Sequence, residues 1–494
     1  MPSEMIAKTG IDGLDEVARG GLPRERMYLV QGDPGVGKTT LALQFLLEGA
    51  RQGERCLYVT LSESEVEIRQ VATSHGWDLT GIEICELTAA EQHNSLAEGN
   101  TLFVASELEL NQATTTLLAR IEALQPSRVV LDSLSELRLL AQSALRYRRQ
   151  ILGLKEFFLA KRATVLLLDD RTTANEDQLL QSLTHGVIAL EATAPTFGTD
   201  RRRLRLVKLR GVAFRGGYHD YIIQKGGLCV FPRLVAAEHA ETHPSSLLLS
   251  GVPALDQLLG GGIDRGTSTL LMGPAGTGKS ILAMTYALAA AARGEKVATF
   301  LFDESVTTMR QRSRSLGLPM PDENGGNHYV RQIDPAEMSP GEFAARVREQ
   351  VEHRGAKVVI IDSLNGYLAS MPEERFLTIQ MHELLTYLAH KGVATFLLMA
   401  QYGIVGTAMS VPVDMSYLAD SVLLLRYFEA RGEVRKAISV VKKRSGPHEN
   451  SIRQITIQRG GVVVGEPLNE FEGILTGIPK YLGGTQEGPE PVHA

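Results

Sequence analysis

Short runs of β-branched and aliphatic residues alternate along this chain with longer stretches whose apolar positions recur at helical spacing, the pattern of a parallel sheet with crossover helices. In the first half the apolar runs predict strands over Met27–Gln31, Cys56–Leu61, Arg128–Asp132 and Thr164–Leu168. In the second half they return at Thr269–Met272, Val297–Phe302, Val358–Asp362 and Thr395–Met399. Helices are expected between them, among others over Thr39–Gly49 and Ser280–Ala292. Each half closes on further strand-like runs, Arg202–Lys208 with Tyr218–Gln224 and Lys436–Lys442 with Ile452–Gln458, which predict an antiparallel extension of the sheet.

The two halves repeat one another. Shifted by 241 positions, residues 9–63 fall on 250–304 without a gap, and 18 of those 55 pairs are identical, where chance gives roughly 4. The repeat predicts a first domain over 1–238 and a second over 247–480. The polar stretch Ala236–Ser246, with Pro244, reads as a linker, and 481–494, rich in Gly, Pro and Glu, as a disordered tail.

Composition changes this picture little. With 494 residues, 44% hydrophobic and 22% charged, the chain can bury full-sized cores, so disorder is not the leading reading. Length alone suggests about three domains; the repeat revises that to two. A net charge of −6 and a pI of about 6.1 supply no global basic field to draw the protein onto nucleic acid or an anionic membrane. Cys56, Cys85 and Cys229 are odd in number and far apart, which fits reduced thiols better than a disulfide frame. No basic-then-apolar leader and no apolar stretch of ~18 residues is present, so the expected location is cytoplasmic, away from membranes.

The chemistry enters with two glycine loops. Gly32-Asp33-Pro34-Gly35-Val36-Gly37-Lys38-Thr39 and Gly273-Pro274-Ala275-Gly276-Thr277-Gly278-Lys279-Ser280 both satisfy G-x-x-x-x-G-K-[ST], each between an expected strand and an expected helix. Glycines are needed because backbone N–H groups must turn inward around phosphate oxygens, in conformations that a Cβ obstructs. Lys38 and Lys279 are expected on the β- and γ-phosphates and Thr39 and Ser280 on Mg2+, with the contacts running one residue further, to Thr40 and Ile281. ATP and Mg2+ are therefore the expected cofactors.

An aspartate ends a strand beside each loop, Asp132 in the first half and Asp362 in the second. Alone, such a residue reads as a helix cap; beside a phosphate loop it reads as a second group on the metal. Hydrolysis also needs a side chain that orients or deprotonates the attacking water. Glu63 is the candidate in the first half, and Asp303 and Glu304 are candidates in the second, with helix capping as the competing reading.

With these loops, Thr60-Leu61-Ser62-Glu63-Ser64, Asp303-Glu304-Ser305, Asp200-Arg201-Arg202-Arg203 leading to Lys208-Leu209-Arg210-Gly211, and Ala419-Asp420-Ser421 leading to Tyr427, the sequence resembles the KaiC family of circadian-clock ATPases over about residues 5–480. The resemblance implies an α/β architecture of two tandem RecA-like P-loop NTPase domains, each a mainly parallel twisted sheet flanked by helices. It implies a homohexameric double ring with ATP at the subunit interfaces, where Lys208 and Arg210, and Lys442 and Arg444, reach a neighbour's nucleotide. Without it, a Lys-x-Arg strand end reads as a solvated edge.

The resemblance further implies serine/threonine autokinase activity in the second domain, making the protein a nucleotide- and phosphorylation-state switch with KaiB-like or two-component signalling partners. Its acceptor pair falls here on Ser416 and Tyr417. Tyr417 replaces a threonine and carries its hydroxyl further out, Val411 and Pro412 stand where polar residues are usual, and Ser62 replaces the first of two adjacent glutamates. Competing readings are an ATPase switch without autophosphorylation and a RecA- or DnaB-like DNA-dependent ATPase. The acidic pI, the duplication and the lack of a basic-aromatic segment weigh against the latter, so nucleic acid is not an expected partner.

Overall fold

The computed structural model describes residues 5–87, 105–141, 143–171, 180–319, 326–368, 374–401, 416–475 and 479–482. The chain divides into two units, Met1–Arg233 and Leu234–Ala494.

In the first unit nine described strands form one sheet in the spatial order 227–231, 219–224, 201–209, 186–193, 27–31, 164–169, 128–132, 56–60, 82–86. The strands from 186–193 to 82–86 run parallel, and those at 201–209, 219–224 and 227–231 extend the sheet antiparallel. The second unit repeats the order with 461–467, 453–458, 433–443, 421–430, 268–273, 394–400, 356–362, 296–301 and 328–332. The expected strands lie where the sequence placed them, to within three residues at either end.

The central parallel strands are buried along their length: every residue of Met27–Gln31, Cys56–Thr60 and Arg128–Asp132 is inaccessible to solvent or nearly so. That is why they read as continuous apolar runs rather than alternating ones. Each such valine or leucine contributes roughly 1.5–3 kcal/mol by leaving water. The edge strands Ile82–Glu86 and His328–Gln332 escaped the apolar criterion because they are mostly half-exposed and carry Glu83, Glu86, Arg331 and Gln332. In each unit the helix after the glycine loop, Lys38–Arg51 or Lys279–Ala292, packs against the sheet through Leu41, Phe45 and Leu46, or Leu282, Tyr286 and Ala290.

Two expected boundaries meet the structure here. By backbone contacts the first unit ends at Arg233, near the expected 238, and Ala236–Ser246, the expected linker, packs with the second unit. Ala236 is 2% exposed; its N–H donates to Glu383 Oε2 at 2.9 Å, and the ring of His390 lies 3.1 Å from its carbonyl. His239 meets Tyr387 edge-on at 5.1 Å, and the His243 ring lies 3.0 Å from the Ala389 carbonyl. Ala236 and the rings of His239 and His243 thus meet helix Glu374–His390, while residues 240–246 are exposed to solvent, as their polar composition suggests.

Tyr481 and Leu482, placed in the expected disordered tail, are ordered. Lys480–Tyr481 pairs with Phe471–Glu472, and the Tyr481 ring sits 5.3 Å from Phe471. Residues 483–494, like Val411 and Pro412, lie outside the described residues. No helix among the described residues is long and apolar enough to cross a membrane.

Candidate nucleotide sites

Both glycine loops leave the C-terminal end of a central strand and enter a helix, with Gly37 and Gly278 as left-handed N-caps at φ 96° and 108°. That conformation suits glycine, and a side chain there would also press on a neighbouring isoleucine. A Cβ on Gly37 would lie 2.6 Å from Ile223, and one on Gly278 would lie 2.5 Å from Ile457. The side chains of Val36, Thr40 and Thr277 are buried, so at these positions only backbone N–H groups can face a ligand. Asp33 and Ala275 are exposed on the loops' outer turns.

The candidate carboxylates arrive at the same sheet edge by register: Thr60 pairs with Asp132, and Leu301 with Asp362. In the first unit Thr39 Oγ1 donates to Asp132 Oδ2 at 3.3 Å, and the Tyr58 hydroxyl donates to the same oxygen. Burial pushes the Asp132 carboxyl above its ordinary range. In the second unit Asp362 rises to about 6 for the same reason, opposed by a hydrogen bond from Ser280. The peptide bonds Asp132-Ser133 and Asp362-Ser363 are both cis.

Helix capping falls to other residues. Ser64 accepts from the Glu67 N–H and forms a reciprocal capping box, and Ser305 accepts from the Thr308 N–H at 3.0 Å. Glu63 and Glu304, one residue earlier, are thereby left to other partners, and here the units differ. Glu63 Oε2 is buried and accepts no hydrogen bond among the described residues. Burial, then the nearby Asp132 and Glu67 charges, hold its carboxyl above the usual range. Glu304 is gripped by Arg312 through two hydrogen bonds of 2.6 and 2.7 Å. Asp303 is exposed and accepts from Ser363 Oγ.

The lysines differ too. Lys38 Nζ donates to the Gly32 and Asp33 carbonyls at 2.8 and 3.0 Å and to Asp170 Oδ1 at 2.7 Å. Lys279 Nζ donates to the Gly273 and Pro274 carbonyls, both at 2.8 Å, and burial lowers its ammonium pKa to about 8. Beside it opens a cavity of about 450 Å³ lined by the loop, Ser280, Ile281, Arg312, Lys436 and Ile457.

The four cations expected to act on a neighbour's nucleotide are tied to carbonyls of their own chain. Lys208 donates to Gln181 and Arg210 to Ser182 at 3.1 Å. Lys442 donates to Ser416 and Ala419 at 2.8 and 2.7 Å, and Arg444 to Tyr417 at 2.8 Å. The candidate acceptors are thus held by their backbones against those cations, with Tyr417 54% exposed and Ser416 half-buried.

Sequence reasoning missed Tyr58, Asp170, Arg312 and Lys436. Extending the 241-residue repeat into the next helix sets Arg312 opposite Val71, a difference that marked it as particular to the second site.

Two sheets of identical strand order, each carrying a complete phosphate loop at the C-terminal ends of its parallel strands, define a tandem P-loop protein of RecA-like fold. The KaiC ATPase family model matches the chain twice, over residues 7–235 and 248–469, and the chain belongs to that family. It is 27% identical to the circadian clock oscillator protein KaiC of a Picosynechococcus strain, across 96% of this chain and 92% of that one. A similar likeness holds to the circadian clock protein KaiC3 of a Synechocystis strain, at 26% over 96% and 94% of the two chains. The KaiC of Prochlorococcus marinus is 27% identical over 97% and 95%.

Proposed function

We propose that this chain hydrolyses ATP at two sites in a homohexameric double ring and signals its nucleotide state to protein partners. The observation that supports this most is the lysine, hydroxyl, aspartate and glutamate constellation set twice on one strand order: Lys38, Thr39, Asp132 and Glu63, then Lys279, Ser280, Asp362 and Glu304. The reading places the protein in the cytoplasm, where ATP is supplied.

Backbone N–H groups of residues 32–40 and 273–281, Pro34 and Pro274 excepted, receive the phosphates at a positive helix end. The ammonium groups of Lys38 and Lys279 turn from loop carbonyls to β- and γ-phosphate oxygens. Thr39 with Asp132, and Ser280 with Asp362, offer hard oxygen donors at buried carboxylates, a donor set that suits Mg2+. When bound, the ion neutralises charge on the transferring phosphoryl group. Glu63 and Glu304 orient the attacking water and take its proton, and Asp303, exposed and bonded to Ser363, supports the second site. Lys208, Arg210, Lys442 and Arg444 complete a neighbour's site in the ring, where a cation stabilises the departing charge.

In the second domain the Ser416 hydroxyl replaces water: its oxygen bonds to the γ-phosphorus of a neighbour's ATP, ADP departs, and Glu304 of that neighbour takes the proton. The contacts of Lys442 and Arg444 with the Ser416 and Tyr417 carbonyls support this, because the cations that meet the neighbour's nucleotide also carry the acceptor. KaiB-like or two-component signalling proteins would read the state.

The test follows phosphate release from Mg·ATP and maps covalent phosphate by mass spectrometry on the wild type, Ser416→Ala and Tyr417→Phe. Phosphate that vanishes in Ser416→Ala supports the autokinase. Steady hydrolysis with no covalent phosphate leaves an ATP-timed switch, and no hydrolysis at all removes the enzymatic reading.

A further inference from the structure

Arg312 stands eight residues after Glu304, on helix Val306–Ser315, and folds back to hold both carboxylate oxygens of the residue that precedes the helix cap. Arg312 also lines the 450 Å³ cavity shared by Gly276, Gly278, Lys279 and Ser280. The residue therefore stands between a carboxylate, which its fork holds, and the cavity beside the phosphate loop. An arginine fork fits either anion with two parallel hydrogen bonds, so one can replace the other without a change of geometry. The pair is at the cavity wall rather than sealed in, with side-chain exposures of 29% for Arg312 and 18% for Glu304, so water can cover the carboxylate once the arginine leaves. In the first unit Val71 occupies the repeat position of Arg312 and packs against the core, and Glu63 has no such partner among the described residues.

We propose that Arg312 is a nucleotide-contacting residue of the second site that exchanges Glu304 for the terminal phosphate of a nucleoside triphosphate. Without a triphosphate the arginine holds the candidate base away from water. With one, the terminal phosphate draws Arg312 off and frees Glu304 where a water must be oriented. The ligand class is a nucleoside triphosphate in preference to the diphosphate, because the contact is to the last phosphate. This inference deepens the reading of the second site as an ATP site and rests on it.

The test is a binding experiment on the full chain carrying Lys38→Ala to silence the first site, titrated with a non-hydrolysable ATP analogue and with ADP. Arg312→Gln is expected to weaken the triphosphate analogue about tenfold and to leave ADP within about twofold. Retained ADP affinity also reports that the site is folded. An equal loss for both nucleotides, or no loss for the analogue, overturns the proposal. Glu304→Gln supplies a second, independent measurement, since it weakens the pair that the nucleotide must displace. It is expected to tighten the analogue several-fold, and that gain is expected to disappear when Arg312→Gln is also present. A gain that persists in the double variant would mean simple charge repulsion and would overturn the exchange. Because binding needs no turnover, a site that binds in this pattern yet never hydrolyses would sink the hydrolytic reading alone. A second site that binds neither nucleotide would sink both.

Discussion

The two phosphate sites share a backbone and rest in opposite ways. In the first, the loop lysine is paired with a carboxylate, Lys38 with Asp170, while Glu63 Oε2 has no hydrogen-bond partner among the described residues. In the second, the lysine touches only loop carbonyls among its hydrogen bonds, while Glu304 is paired with Arg312. Duplication preserved what holds phosphate, and divergence fell on the side chains around it. Under the proposed function each site breaks a different ion pair before chemistry: the first gives up the pair on its cation and the second the pair on its base.

The largest effects should come from the groups the sites share. Lys38→Ala and Lys279→Ala each remove charge-assisted contacts of about 1.5–3 kcal/mol apiece. Each is expected to weaken nucleotide about 100-fold at its own site alone, which binding stoichiometry would record as a fall from two nucleotides per chain to one.

Next is the buried carboxylate of the second site. Asp362 titrates near 6 in the folded protein against 3.8 unfolded, so ionising it costs stability that is present below pH 3.8 and lost as pH rises through 6. Asp362→Asn should therefore stabilise the nucleotide-free second unit by up to about 3 kcal/mol at pH 7 and by almost nothing below pH 4. Denaturant unfolding at the two pH values checks this; equal effects at both would refute the buried-charge account.

The same shifts bound nucleotide binding at the second site. Lys279, lowered to about 8, loses its proton as pH rises through that value, while Asp362 gains one below about 6. Affinity for Mg·ATP should peak between them and fall by up to about tenfold per pH unit above 8. Lys279→Arg should flatten the alkaline limb. The smallest effect is expected at Asp170, which is 40% exposed: Asp170→Asn frees Lys38 and should tighten first-site nucleotide only about threefold.

The phosphate loops, the strands feeding them and the aspartates at the strand ends were legible because each obeys a local rule of glycine spacing, continuous apolar run or residue order. The pairs that distinguish the sites obey none. Asp170 reaches Lys38 across 132 residues of chain, and Tyr58 reaches Asp132 across 74, through strand register that one sequence does not display. Arg312 was closer to legible, since the repeat sets it against Val71 and helical geometry returns it to Glu304. Ala236–Ser246 is mostly exposed, as its composition suggests; what composition did not show is that Ala236, His239 and His243 meet helix Glu374–His390. The expected reach of Lys208, Arg210, Lys442 and Arg444 came from resemblance alone, and in the single chain they bind carbonyls of their own chain.

The most direct test of two independent, differently held sites is ATP-dependent phosphate release from the wild type, Glu63→Gln, Glu304→Gln and the double variant, measured under identical conditions. The account predicts that each single variant loses its own site's share, about 10²–10⁴-fold at that site, and that the double variant falls to background. Turnover in the double variant equal to the wild type would contradict it.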